Sequence, residues 1–270
     1  MTDNTWEDRR RFPRRLFRKV WSIMTTFTIK LAGVTIGVTA LFDSTRTFCR
    51  DYLTEEAPEF EVQVTSDDIR NEADRSAREN IREGLPVQRY PAEYLETLAV
   101  YRKIVERLVG YDTFLFHGSV IAVDGEGYLF TAKSGTGKST HTRLWRQHFG
   151  SRAVMVNDDK PLLRVTDSGV LVCGTPWDGK HHLSTNVTVP LKAVCILERG
   201  AENQIRPVTA QEALPMLLQQ SQRPAEPGNM AKFLGLISDL TKKVGLFRLA
   251  CNMDPEAALV AYNGMKGSSK

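Results

Sequence analysis

Paired cysteines, long apolar runs and any excess of charge beyond the first two dozen residues are all missing from this 270-residue chain. Its four cysteines, at 49, 173, 195 and 251, stand alone without a Cys-x-x-Cys spacing. That excludes a disulfide framework and a zinc finger, and it fits a reducing compartment. From Leu31 to Phe42 only 12 residues run without charge, short of the roughly 20 that a spanning helix needs. Val34, Thr35, Ile36, Val38 and Thr39 in that run are β-branched, so it reads as strand and no membrane span is expected. No repeat period or low-complexity tract occurs, and Gly and Pro stand at 19 and 12, which excludes collagen-like and solenoid architectures. With 41% hydrophobic and 25% charged residues, the chain can bury a core of ordinary globular type.

The net charge of +4 is confined to one place. The first 23 residues hold seven basic and three acidic groups, which leaves 29 of each sign in the rest of the chain. A basic tail of this kind is no nucleic-acid-binding face, so nucleic acid is not an expected partner. Arg9, Arg10 and Arg11, followed by Arg14, Arg15, Arg18 and Lys19, are reminiscent of a twin-arginine export signal, but no small-x-small cleavage pattern follows. Residues 1–23 are therefore expected to be a basic, disordered leader, and the protein to be cytoplasmic.

Residues 24–110 read as a small α+β unit. Strands are expected around 26–41 and 59–64, followed by a solvent-facing charged stretch from Ser66 to Glu83 within a region that carries 11 acidic and four basic groups between Asp51 and Gly84. Pro91 at a first helical turn, then Tyr94, Leu95, Leu98, Tyr101, Ile104, Val105 and Leu108 at helical spacing, predict a core-packing helix that Gly110 stops. From residue 111 to about 265 the pattern changes to short apolar runs with interspersed helices. Strands are predicted at 113–116, 119–123, 128–131, 153–156 and 193–197, with hairpin turns at Asp124-Gly125-Glu126-Gly127 and Asp167-Ser168-Gly169. Helices are predicted at 138–148, 210–220, 230–241 and 254–262, which gives an α/β domain with a mixed sheet.

The chemistry concentrates in three segments. Ala132-Lys133-Ser134-Gly135-Thr136-Gly137-Lys138-Ser139 lies after a predicted strand and before a predicted helix. Gly135 and Gly137 allow successive backbone N–H groups to curl around phosphate oxygens, and the helix opened by Ser139 and Thr140 adds its positive dipole end. Lys138 would place its charge on the β and γ phosphates, and Ser139 would ligate magnesium. Ala132 stands where the strict pattern has glycine. About 20 residues after the lysine, the apolar run Ala153 to Val156 delivers Asn157-Asp158-Asp159. Two adjacent carboxylates can divide metal binding from proton acceptance, and turn composition is the plain alternative. His117, on the strand before the first hairpin, carries little meaning alone.

Together, His117-Gly118, the loop Ser134 to Ser139, and Asp158-Asp159 resemble HPr kinase/phosphorylase in order and spacing, and PEP carboxykinase shows a similar set. The resemblance implies a P-loop kinase domain of that superfamily over roughly 111–250, with ATP and Mg2+ as cofactors. By the same resemblance, His117 sits beside the transferred phosphate, Lys138 binds it, Ser139 and Asp159 hold the metal, and Asp158 is the base toward a serine hydroxyl. The glycine-rich signature that follows the carboxylates in that family is missing, and Leu197-Glu198-Arg199-Gly200 only echoes it. HPr as substrate and the reverse reaction are therefore not carried over. In that region, Gly174 to His182 packs Trp177, Lys180 and His181 into one polar loop suited to substrate contact, with a plain packing loop as the alternative. Arg143 and Arg223 are further candidates for neutralising charge. The expected function is ATP-dependent phosphorylation of a hydroxyl, with the serine of a protein or peptide as acceptor and a homo-oligomer left open. PEP carboxykinase-like transfer to a small carboxylic acid and a non-catalytic, nucleotide-gated binding module are the rivals.

Overall fold

A computed structural model describes residues 24–82, 84 and 86–267, so the basic leader expected at 1–23 lies outside the described residues. The β-branched run after Met24 is divided into two strands, β1 (Thr25–Leu31) and β2 (Val34–Ala40), where a single stretch was expected. The turn is Ala32-Gly33 with φ of 50° and 79°, the doubly left-handed backbone that matches strand twist. Helix α1 (Asp43–Phe48), which the sequence did not announce, follows, and β3 (Phe60–Gln63) then pairs parallel with β2 to complete a three-stranded sheet. Helix α1 has no side-chain cap of its own. The fully buried carboxylate of Glu96 takes that role from outside, accepting from the amides of Leu41 at 2.6 Å and Phe42 at 3.1 Å and from the Thr45 hydroxyl at 2.5 Å.

Two long helices, α2 (Ser66–Arg82) and α3 (Ala92–Leu108), cover this sheet. The charged stretch expected to face solvent is indeed helical, but Glu72 is buried at 4% exposure. It is paired with Arg102 of α3, whose Nη2 donates to Oε2 at 3.0 Å, so one charge of that face is a helix-to-helix tie. Pro91 is the residue before α3 rather than in its first turn, and the left-handed residue that ends the segment is Asp112 at φ 55°, not Gly110. The apolar stripe of α3 packs with the small sheet in a cluster that continues past residue 110 to Leu115, Leu162, Cys173 and Trp177.

The larger sheet is mixed and built from β4 (Thr113–Leu115), β5 (Ser119–Val123), β6 (Glu126–Thr131), β7 (Ala153–Asn157), β8 (Leu162–Thr166), β9 (Gly169–Cys173), β10 (Thr188–Arg199), β11 (Gln204–Pro207) and β12 (Gly245–Cys251). Strand β10 joins its two parts. Thr188–Pro190 pair antiparallel with β9, a register shift follows between Leu191 and Ala193, and the rest runs parallel to β6 and β12. Pro190 stands beside this irregularity, where its missing N–H is tolerated. Side chains alternate across the sheet. Val120, Ala122, Leu129, Val194 and Ile196 meet α5 (Ala210–Gln220) and α6 (Pro227–Lys243). Ile121, Val123, Tyr128, Phe130, Ala193 and Cys195 meet α4 (Lys138–Phe149) and α7 (Glu256–Met265). Helices on both faces explain why these strands read as continuous apolar runs.

Gly174, just after β9, permits a close chain crossing. A Cβ there would lie 1.9 Å from the carbonyl oxygen of Thr185 and 2.9 Å from that of Val156. Both obstacles are backbone, so the chain must move. Gly174→Ala is expected to destabilise the protein by roughly 3 kcal/mol and to lower Tm by roughly 6–12 °C for a chain of this size. Thermal unfolding followed by circular dichroism checks this, and an unchanged Tm would refute the crossing.

Candidate functional site

Strand direction decides which residues meet. Strand β5 is antiparallel to both β6 and β7, so β6 and β7 run the same way and end at one edge of the sheet. The glycine loop leaves β6 at that edge, Asn157-Asp158-Asp159 leaves β7 there, and Ser119 opens β5, while His117, expected on a strand, lies in the short link between β4 and β5. Strand β10, parallel to β6, ends at the same edge and supplies Arg199, whose Nη2 donates to the carbonyl of Gly135 at 2.8 Å. The C-terminal edge of parallel strands is the usual position for sites in open α/β sheets.

The loop has the backbone a phosphate cradle requires. Gly135 and Gly137 have φ of 74° and 122°, with open space around Gly135 and nothing nearer than 4.0 Å to a Cβ at Gly137. Left-handed residues turn successive N–H groups toward a common point. Ser139 is exposed and Thr140 half-buried at the first turn of α4. Lys138 donates to the carbonyl of Ala132 at 3.4 Å. Burial pulls its pKa down, while the charges of Asp159 and then Asp158 act in the opposite direction. The lysine and both carboxylates are therefore within electrostatic reach of one another.

The two aspartates have different surroundings. Asp158 is 5% exposed and accepts from the Ser119 hydroxyl at 2.6 Å, which in turn lies 3.0 Å from the Thr142 hydroxyl of α4. Asp159 contacts the Lys160 ammonium and lies 3.1 Å from Nε2 of His117. Burial alone would push the Asp159 carboxyl up. The His117 hydrogen bond and the charges of Lys160 and His117 override it and hold the group well below the usual carboxylate range.

Behind both stands Asn157, fully buried. Its Oδ1 accepts from the backbone N–H of Asp159 at 2.8 Å and of Lys160 at 2.7 Å. Its Nδ2 donates to the carbonyl and hydroxyl oxygens of Thr175, each at 3.0 Å. Tyr101 of α3 completes the support by donating to the Lys160 carbonyl at 2.8 Å. Asn157, Ser119, Thr175, Tyr101 and Arg199 were not singled out by the sequence. The Asn-Asp-Asp turn composition was the one available signal, since an Asn side chain readily accepts from amides two and three residues on.

Of the expected substrate loop, Trp177 is corrected. It is 3% exposed, stacks on Tyr101 with ring centroids 4.0 Å apart, and its indole N–H donates to the Thr97 carbonyl at 2.8 Å. The residue packs the loop onto α3 and does not face a ligand. Lys180 and His181 are exposed, next to Gly179, whose added Cβ would lie 3.6 Å from both an Asp158 oxygen and the Asp159 Cβ. The loop thus lies against the aspartates. Arg223 lines an open cleft of about 1060 Å³ with His117, Lys133, Ser134 and Gly135, whereas Arg143 is exposed on α4 and is absent from that lining.

Because the folded-state pKa of Asp159 is depressed, its stabilising contribution is present above its ordinary value of 3.8 and is lost as pH falls below it. Between pH 5 and 3 the wild-type Tm is expected to fall more steeply than that of Asp159→Asn. Parallel slopes in thermal melts would show that the His117 and Lys160 contacts do not hold this group ionised.

No curated protein matches the chain in sequence. Among solved structures, the Hpr(Ser) kinase/phosphatase from Coxiella burnetii is distantly similar, at 8% identity and a TM-score of 0.32, over 56% of this chain and 93% of that one. The family model described as "SynChlorMet cassette protein ScmC" matches residues 86–256. That span holds α3, the glycine loop, both aspartates and the loop against them, and the chain belongs to the ScmC family.

Proposed function

We propose that the chain is a magnesium-dependent phosphotransferase that moves the γ-phosphoryl group of ATP to a hydroxyl, with the serine of a protein or peptide as acceptor. The observation that carries this reading is the meeting, at one sheet edge, of the left-handed glycine loop, Lys138 and the Asp158-Asp159 pair. The division into a 24–110 recognition unit and a 111–265 phosphate-handling unit of P-loop kinase type belongs to the same proposal.

The residues present fit the nucleotide and metal. The loop amides and Lys138 are suited to hold phosphate oxygens, and the open space at Gly135 leaves room for them. Ser139 and Asp159 offer the hard oxygen donors that magnesium takes. Among the described residues no group of three or more His, Cys, Asp or Glu side chains is placed to hold a metal. Magnesium shared with a nucleotide needs only one or two protein ligands, so this donor set suffices. When bound, the magnesium nucleotide supplies the phosphoryl group and neutralises part of its charge.

The chain's own residues would then divide the work. A carboxylate held as low as Asp159 is a poor proton acceptor and a good anionic ligand, which favours the metal role for it. Asp158 is left to take the acceptor's proton, with Ser119 and Thr142 fixing its carboxyl. His117, hydrogen-bonded to Asp159 at 3.1 Å and lining the cleft, is placed to contact the group in transfer. The polar loop 174–182, through Lys180 and His181, would close over the acceptor.

Incubation of the full chain with Mg-ATP and serine-containing peptides, read by mass spectrometry, tests the reading. Lys138→Ala is expected to weaken ATP binding at least about tenfold. Asp158→Asn is expected to leave ATP bound and to slow transfer by about 10² to 10⁴. Tight ATP binding without turnover, equal in wild type and Asp158→Asn, would instead make the chain a nucleotide-gated binding module. Absence of ATP binding would overturn the proposal.

A further inference from the structure

The cleft that opens beside His117 is walled on one side by the N-terminal unit. Its lining joins the glycine loop residues Lys133 to Gly135 with Glu79 and Arg82 of α2, and with the end of α5 and Arg223 beyond it. Charge along α2 is unevenly spread. Asp67, Asp68, Glu72 and Asp74 outnumber Arg70 in its first half, while Arg75, Arg78 and Arg82 outnumber Glu79 in its last two turns. Among the described lining residues, Arg82, Lys133 and Arg223 face one acidic side chain, Glu79, which lies 3.5 Å from Arg82. The wall is thus cationic even though the N-terminal unit as a whole is acidic.

The position of Arg223 is set by backbone ties. The Gln220 carbonyl accepts from the His117 amide at 2.7 Å, the Gln222 amide donates to the Leu115 carbonyl at 3.1 Å, and Glu106 of α3 accepts from the amides of Ala225 at 2.8 Å and Glu226 at 3.0 Å. This arginine therefore sits on a segment fastened to β4 and to the link that carries His117. Gln220 is a buried member of the same wall. It lines the cleft at 7% exposure, and its Oε1 has no hydrogen-bond partner.

We infer that this cleft is the acceptor subsite and that it selects a peptide carrying carboxylates near its serine, with Arg82 and Arg223 pairing the carboxylates. Guanidinium groups suit this task because they pair carboxylates through two parallel hydrogen bonds. The acceptor role rests on the phosphotransferase reading above, whereas the anion preference of the cleft stands apart from it.

Two measurements on the full chain separate the two. Fluorescence anisotropy compares labelled serine peptides with Asp/Glu, neutral or Lys flanks, and a fluorescent ATP analogue with magnesium is titrated in parallel. The acidic peptide is expected to bind at least about tenfold more tightly than the neutral one, with the gap shrinking as salt is raised. Arg82→Gln combined with Arg223→Gln is expected to erase the gap, and Arg82→Lys with Arg223→Lys to restore part of it. A melting curve for each variant shows that it is folded. Equal affinity for acidic and neutral peptides, or a preference for the Lys-flanked one, overturns the inference whether or not ATP binds. An acidic preference without ATP binding keeps the anion cleft and overturns the phosphotransferase reading.

Discussion

The hydrogen bonds of one buried side chain hold the site in shape. Asn157 is fully enclosed, and it accepts from two backbone amides while donating to Thr175 on the facing loop. A strand end leaving a sheet exposes amides that need partners, and here one carboxamide supplies them and fixes the direction in which Asp158 and Asp159 leave the strand. The same amide pins the loop that begins at Gly174. Lys160 is held in turn by Tyr101 and Thr175 through its carbonyl, at 2.8 and 2.9 Å. The N-terminal unit therefore bonds directly to the residue that follows the two carboxylates. Tyr101 belongs to α3, and Trp177 stacks on it from the opposite element. Any change that frees Asn157 loosens both aspartates and the loop above them together.

The sheet gives this local device its setting. With helices on both faces, each strand must present apolar groups upward and downward, which leaves only the strand ends for polar chemistry. Strands β6, β7 and β10 end at a shared edge, so three segments far apart in sequence deliver the glycine loop, the paired carboxylates and Arg199 to one place. The break in β10 near Pro190 lets a single strand join this region to the antiparallel β4-β8-β9 part.

Much of this was legible in the sequence wherever chemistry and position coincide in a short window. The Asp124-Gly125 turn, with φ of 54° and 83°, follows from its residues alone, as do the loop between β6 and α4 and the adjacent carboxylates after β7. Strand β12 was not legible, because Gly245 to Cys251 follows a helix after one intervening residue and, paired with both β10 and β11, has no alternating pattern to show. Helix α1 was hidden for a different reason. Its start is stabilised by Glu96, more than 50 residues away in sequence, and Asp43 in its first turn is a weak signal for a helix of six residues. Trp177 shows the limit from the other side. An aromatic among polar neighbours looks like a ligand contact until its partner is known, and that partner is the stripe of α3.

The charges at the edge suggest why a metal belongs to the proposed reaction. Asp158 and Asp159 are adjacent, and each negative charge raises the cost of the other. Lys138 and Lys160 balance them, and His117 adds a hydrogen bond to Asp159. A site at balance has little attraction left for a triphosphate carrying several negative charges, and Lys138 alone cannot offset them. A divalent cation arriving with the nucleotide would offset two of those negative charges. In the proposed reaction the aspartates would repel a bare nucleotide and accept one that arrives with magnesium, and the depressed pKa of Asp159 would keep that discrimination in force down to acidic pH.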